Sequence, residues 1–361
     1  MRRMRPFLLA AVLLCTGLPC AHAETDQSAI ARAALADVIR PGYAALAQAT
    51  AALDEKVEAL CAEPSAAALK DTKDAFAATV ESWSKVEILR FGPVNKSHRY
   101  ERLFYWPDPK GIGLRQVQKA LAGKDETTAD PDTLAGKSVA LQGLTAFEYL
   151  LYAQGAEMLA KPGGDGAFRC RFAAAIAANM ATIAADVDKA WGEGAPFTKT
   201  FLDPRPDDPL YRAPKDVTLE LFKAFTSGIE LVRDQKLGKP LGASPETARP
   251  QLAAFWRSGL TFPNMAGNLD GVRTLFTEGG FAGVVAAESS GVEKSVLFDL
   301  GHVIDVLGAI DRPIAEVVRD QAQRDKLEAL RIALKSARDT GATMIARGAD
   351  LSFGFNALDG D

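Results

Sequence analysis

The chain has few of the side chains on which most metal and nucleophile chemistry is built: three histidines and four cysteines in 361 residues. It contains no His-Glu-x-x-His helix, no Cys-x-x-Cys pair, no Gly-x-Ser-x-Gly elbow and no Gly-x-x-x-x-Gly-Lys loop. Zinc-protease, zinc-ribbon, esterase and nucleotide-phosphate motifs are thereby excluded. Basic charge is not in excess either, with 42 Lys+Arg against 46 Asp+Glu, so no cationic face for nucleic acid is expected. Aromatic residues make up only 8% of the chain and no stretch alternates at period two with β-branched residues, which argues against a sandwich or barrel. What is abundant is apolar residue, 48% of the chain and rich in alanine and leucine, the composition of a packed helical core.

The N-terminus carries Arg2, Arg3 and Arg5, an apolar run from Phe7 to Leu18, and Ala21-His22-Ala23 before Glu24. A basic region, a short apolar region and an A-x-A site read as a secretory signal peptide over residues 1–23, and the expected compartment is the periplasm. The run is too short for a stable membrane span and Pro19 interrupts it, while Gly17-Leu18-Pro19 before Cys20 fits lipoprotein processing poorly. Removing the segment takes away three arginines and no acid, so the remaining chain is more acidic still. It also leaves only Cys61 and Cys170, and only His98 and His302. Two cysteines in an oxidising compartment read as one disulfide, the alternative being two buried free thiols.

Apolar residues recur at spacings of three and four through most of the remaining chain, which predicts an all-α fold. Helices are expected over residues 27–61 with a break or kink at Pro41-Gly42, from Ser65 to about Ile88, and over 114–122, 132–154 and 166–191. Others are expected over 217–236, 251–256, 262–276, 292–307 and 313–347. Residues 94–112 read as a polar, aromatic-rich loop, and the glycine-rich residues 275–291 as a flexible connection. Residues 196–214, rich in proline and aspartate, read as a linker between a bundle over 24–195 and a second over 215–361. Two helical bundles in tandem are the economical architecture.

Within the first half, Leu141-Gln142-Gly143-Leu144-Thr145-Ala146-Phe147-Glu148-Tyr149-Leu150-Leu151 resembles the signature helix of the imelysin family, Gly-x-His-x-x-Glu followed by an apolar run. Other pieces fall in the family's order: Trp83 and Glu87 before Phe91-Gly92-Pro93, then Tyr105-Trp106-Pro107, Phe255-Trp256-Arg257-Ser258-Gly259, and the ending Ser352 to Asp361. The resemblance spans the chain after the leader and is nearest to the iron-regulated periplasmic branch. It implies a two-domain all-helical fold of two four-helix bundles related by internal duplication, and a role in iron acquisition. The family's peptidase label comes from one branch, an insulin-cleaving metallopeptidase.

This chain departs from the motif at one position, where Thr145 stands in place of histidine. A hydroxyl is a poor substitute for imidazole as a ligand to zinc or ferrous iron. Gly143-x-Thr145-x-x-Glu148 therefore keeps the carboxylate and loses the nitrogen. A metal site in the first half would need Glu148 joined by Glu87, His98, Glu101 or Asp108. In the second half, His302 and Asp305 are three apart on an apolar helix and form a second ligand pair, or simply a helix histidine bonded to its neighbour. Glu148 serves the site, pairs with a buried arginine such as Arg90, Arg99 or Arg102, or caps a loop. The basic and aromatic run from Lys96 to Trp106 offers a surface for an anionic chelate, or a cover over one bundle end.

These residues favour a periplasmic protein that binds iron, zinc or an iron-containing ligand in support of iron uptake, with an envelope transporter as a further possible partner. One alternative is a metallopeptidase using Glu148 as general base, against which the missing histidine counts. The other is a non-catalytic interaction module of the envelope.

Overall fold

Every regular element among the described residues is helical. The computed structural model describes residues 25–351; the expected signal peptide and the tail 354–361 lie outside them. The long helices are α1 (Gln27–Ala33), α2 (Arg40–Ala62), α3 (Ala66–Val86), α4 (Ile112–Gly123), α5 (Gly143–Tyr152) and α6 (Gly164–Trp191). They continue as α7 (Pro196–Leu202), α8 (Pro214–Glu230), α9 (Thr261–Thr277), α10 (Phe281–Gly308) and α11 (Gln321–Gly348). In the first half α2 lies along α3 and α6, and in the second α10 lies along α9 and α11. The halves meet where α3 packs on α9, and their buried apolar residues form one cluster running from Ile30 to Leu351. Helix α6 is long and apolar enough to cross a membrane, but most of it is buried in this core.

Two helices run through a proline without breaking, and for the same reason. The proline ring crowds the carbonyl four residues back and supplies no N–H. Before Pro41 the chain widens into a π-helix, Ala34–Ile39, with Arg40 N–H reaching back five residues to the Leu35 carbonyl. Before Pro240 it widens again over Leu231–Gly238, with Lys239 N–H bonded to the Asp234 carbonyl. The first stretch joins α1 to α2 where a fresh start or kink is the sequence expectation, and the second extends α8 to Gly238.

Elsewhere the helices differ from expectation at glycines and loops. The stretch 132–154 is not one helix. It holds a short turn at Pro131–Leu134, a 3-10 turn at Val139–Leu141, and α5, which starts at Gly143 with φ +73°. Residues 275–291 are not a loop, because α9 reaches Thr277 and α10 begins at Phe281 after Gly280. Residues 251–256 contain only the 3-10 turn Pro250–Leu252 and then a bend with Phe255 at φ +56°. Within the expected linker, α7 is helical and Phe201 and Tyr211 are buried beside Trp191 and Phe197. Cys61 at the end of α2 and Cys170 on α6 are disulfide-bonded, with Cα atoms 5.6 Å apart.

Helix α1 belongs spatially with the second half. It packs on α8 and α7, Ile30 lies against Gly280, and the chain just before it is tied to the end of α11. Thr25 Oγ1 donates to the Gly348 carbonyl at 2.5 Å and Gln27 Nε2 to the Ala349 carbonyl at 2.7 Å.

Candidate functional site

Glu148 sits on α5 and is 2% exposed. Its Oε1 accepts three bonds from a single bend in the second half: Arg257 N–H at 3.1 Å, Ser258 N–H at 2.9 Å and Ser258 Oγ–H at 2.8 Å. Two successive backbone N–H groups converging on one oxygen form a small anion cradle. The bend that supplies them is held by Leu260 N–H on the Phe255 carbonyl at 3.1 Å and Thr261 Oγ1 on the Ala254 carbonyl at 2.7 Å. Burial pushes the Glu148 carboxyl above the ordinary glutamate range; the donors from Ser258 and the charge of Arg257 pull the other way.

The motif's glycine has a steric reason. A Cβ on Gly143 would stand 2.3 Å from the Leu103 carbonyl oxygen, and its φ is in the region that side chains avoid. The close approach brings residues 103–106 against α5, where Thr145 Oγ1 donates to the Tyr105 carbonyl at 3.1 Å. Threonine at the motif's histidine position therefore fastens a neighbouring segment. Behind it Arg102 donates to Gln142 Oε1 and Asn179 Oδ1, and Asn179 donates to the same Gln142 oxygen.

Between α5, the 104–114 segment and the 251–257 bend lies a cavity of about 230 Å³, lined among others by Trp106, Asp108, Thr145, Glu148, Trp256 and Arg257. Trp106 Nε1 donates to the Leu252 carbonyl at 3.0 Å, closing the cavity across the two halves. Phe104 stacks on Phe255, centroids 5.0 Å apart, and on Trp106 at 6.1 Å. The Arg257 guanidinium lies 4.4 Å over the Trp256 ring and 5.4 Å over Tyr149. Its charged face is thus presented by two rings at the cavity.

The expected ligand set does not come together. Glu148 and Asp108 line the cavity, but both Asp108 oxygens are taken by backbone N–H groups at the start of α4, Ile112 at 2.7 Å, Gly113 at 2.9 Å and Leu114 at 3.2 Å. Glu87 is buried in an ion pair with Lys236. His98 and Glu101 are exposed, 3.9 Å apart, and line no part of the cavity. His302 is exposed on α10 and stacks on Phe298, and Asp305 is exposed. No three His, Cys, Asp or Glu side chains converge among the described residues. The donors at the cavity therefore do not fit a resident metal ion held by protein side chains alone.

Glu148 pairs with none of Arg90, Arg99 and Arg102; it caps a loop, the 254–260 bend, as the other sequence alternative had it. Of the Lys96–Trp106 run, Phe104, Tyr105 and Trp106 face the cavity, while Arg99 is tied to Asp186 at 2.7 Å and Arg102 to the amides behind α5. The 255–259 segment stands out in the sequence as part of the family pattern, but its grip on Glu148 does not. Lys236, Asn264 and Asn268 belong to no motif in the sequence. The two asparagines, four apart and so on one helix face among Phe262, Met265 and Leu269, were the available signal, since buried amides require partners.

A family model described as Imelysin matches residues 39–340. Two solved structures each cover 91% of this chain and 97% of their own, with a TM-score of 0.74. One is an imelysin-like protein from Psychrobacter arcticum 273-4 at 17% identity; the other is described as an iron-regulated protein A precursor from Parabacteroides distasonis ATCC 8503, at 14%. At these identities the likeness speaks for the fold. No curated protein matches the chain.

Proposed function

The chain belongs to the imelysin family, and from that premise we propose that it is an exported, non-catalytic binding protein. It holds an iron-containing anionic ligand in the cavity between the halves, in support of iron uptake in the periplasm. The observation that carries this reading is Arg257: a guanidinium stacked between two rings at the cavity, with no carboxylate ion-paired to it among the described residues. Such a group suits a carboxylate or catecholate of a chelate, and the chelate brings the iron donors that the cavity lacks. The leader-like residues 1–23 support export, and the neighbour described as iron-regulated supports the iron side.

The peptidase reading is weaker. A metal-dependent general base needs a carboxylate free to take a proton from bound water, and Glu148 has one oxygen committed to three donors and no histidine beside it. Ferric citrate is the probe for the binding reading. Iron is expected to co-elute with the protein and ferric citrate to quench tryptophan emission saturably, with Arg257→Ala weakening binding at least about tenfold and citrate alone binding less tightly. Absence of iron retention with both ferric citrate and a ferric catecholate overturns the proposal. Cleavage of unfolded casein that stops with a chelator and in Glu148→Gln replaces it with the peptidase.

A further inference from the structure

The joint between the halves contains a fully buried charge. Lys236, in the widened turn before Pro240, places its Nζ 2.7 Å from Glu87 Oε2, 2.6 Å from Asn264 Oδ1 and 2.7 Å from Asn268 Oδ1, so all three ammonium protons are used. Both amides are fixed in turn by α3: Asn264 Nδ2 donates to Ser84 Oγ and Asn268 Nδ2 to the Ser84 carbonyl, each at 2.7 Å. Asn268 also donates to Glu87 Oε2 at 3.0 Å. Lys236 and Glu87 are each 0% exposed.

The same ammonium is 5.7 Å from the Phe104 ring and 5.5 Å from the Trp106 ring. Those rings line the cavity, so the charge stands one aromatic layer behind it. A buried ion pair adds little stability over an apolar pair of the same volume, because desolvation offsets the attraction. Its consequence here is geometric. We propose that Lys236 is a positioning residue: its ammonium, anchored to Glu87, Asn264 and Asn268, fixes the Phe104–Trp106 wall of the cavity through cation–π contact.

The charged and titratable groups around Lys236 are few. From the end of α3 come Glu87, which holds the proton on, and Arg90, which opposes it. Tyr100, from the Arg99–Leu103 turn, interacts with Glu87 and Arg90. On its own stretch Arg233 and Asp234 pair with each other, and α9 contributes only the neutral amides. Burial outweighs Glu87 and brings Lys236 down to about 8. Deprotonation of Lys236 at mildly alkaline pH is therefore expected to release the wall's anchor.

Tryptophan emission and acrylamide quenching of the full chain, followed from about pH 6.5 to about 9.5, test this. The expected result is a step near pH 8 in which quenching rises as Trp106 loosens. Trp106→Phe removes the step, Lys236→Met removes it, and Lys236→Arg shows none because guanidinium stays charged. A flat profile in the unmodified protein, or a step that survives Trp106→Phe, overturns the proposal. Trp106→Phe leaves the buried pair untouched, so the assignment stands even if Lys236→Met does not fold. These readouts need no ligand, and a failure of ferric citrate to bind leaves them unaffected.

Discussion

Glu148 couples chemistry to architecture through one oxygen atom. Replacing it by alanine strands two backbone N–H groups and a hydroxyl in a buried bend, and the expected loss is about 2–4 kcal/mol, read from urea midpoints. Glutamine keeps an acceptor for those donors and carries no charge. The sign with pH follows from the raised carboxyl. Between the ordinary glutamate value of 4.5 and its higher folded value, the folded chain holds a proton that the unfolded chain has lost, so this group lowers stability as pH rises through that window. Glu148→Gln is therefore expected to match the unmodified protein near pH 4.5 and to equal or exceed its stability at pH 7. A variant that is less stable at pH 7 than at pH 4.5, relative to the parent, contradicts this account. Glu148 was visible in the sequence chiefly through its place in the family motif, while its apolar neighbours Phe147, Tyr149, Leu150 and Leu151 fit a structural role equally well. Lys236 was not visible, because a lysine before Gly238-Lys239-Pro240 has the local look of a solvated turn.

The helices themselves were largely legible, since spacing of apolar residues at three and four reflects which side faces the core. The misses occur where a glycine or proline acts through a partner far along the chain. Gly280 and Gly143 each sit at positive φ at the start of a helix, where the local sequence has the pattern of a loop and of a mid-helix stretch respectively. Pro41 and Pro240 are absorbed by widened turns, which local propensity does not foresee. The α3–α9 contact has the same character. Gly271 lies so close to α3 that an added Cβ would be 2.2 Å from the Lys85 carbonyl oxygen, and a Cβ at Gly267 would be 2.7 Å from that of Ser84. Gly271→Ala is expected to cost about 1–3 kcal/mol by forcing the helices apart. Because Asn264 and Asn268 lie on the same helix, it is also expected to shift Trp106 emission. A substitution at Gly283, where an added Cβ meets nothing, serves as the control.

On the scale of the whole molecule, the disulfide closes a loop of 109 residues that includes α3, α4 and α5. Restricting so long a loop in the unfolded chain is worth about 4 kcal/mol by loop entropy. The Cys61→Ser, Cys170→Ser double variant is expected to melt lower by a corresponding amount, while far-ultraviolet circular dichroism at low temperature stays helical. The bond could be anticipated from two remaining cysteines and a leader, whereas the site could not, because its two faces are more than a hundred residues apart in sequence. The meeting of Thr25 and Gln27 with the carbonyls of Gly348 and Ala349 has a consequence for how the chain is made. A polypeptide that emerges N-terminus first must hold α1 without its seat until α8 and the end of α11 have followed. Thr25 and Gln27 are then so near Gly348 and Ala349 that a circular permutant of residues 25–351, joined by a short linker and opened at the turn Gly192–Gly194, should retain the fold.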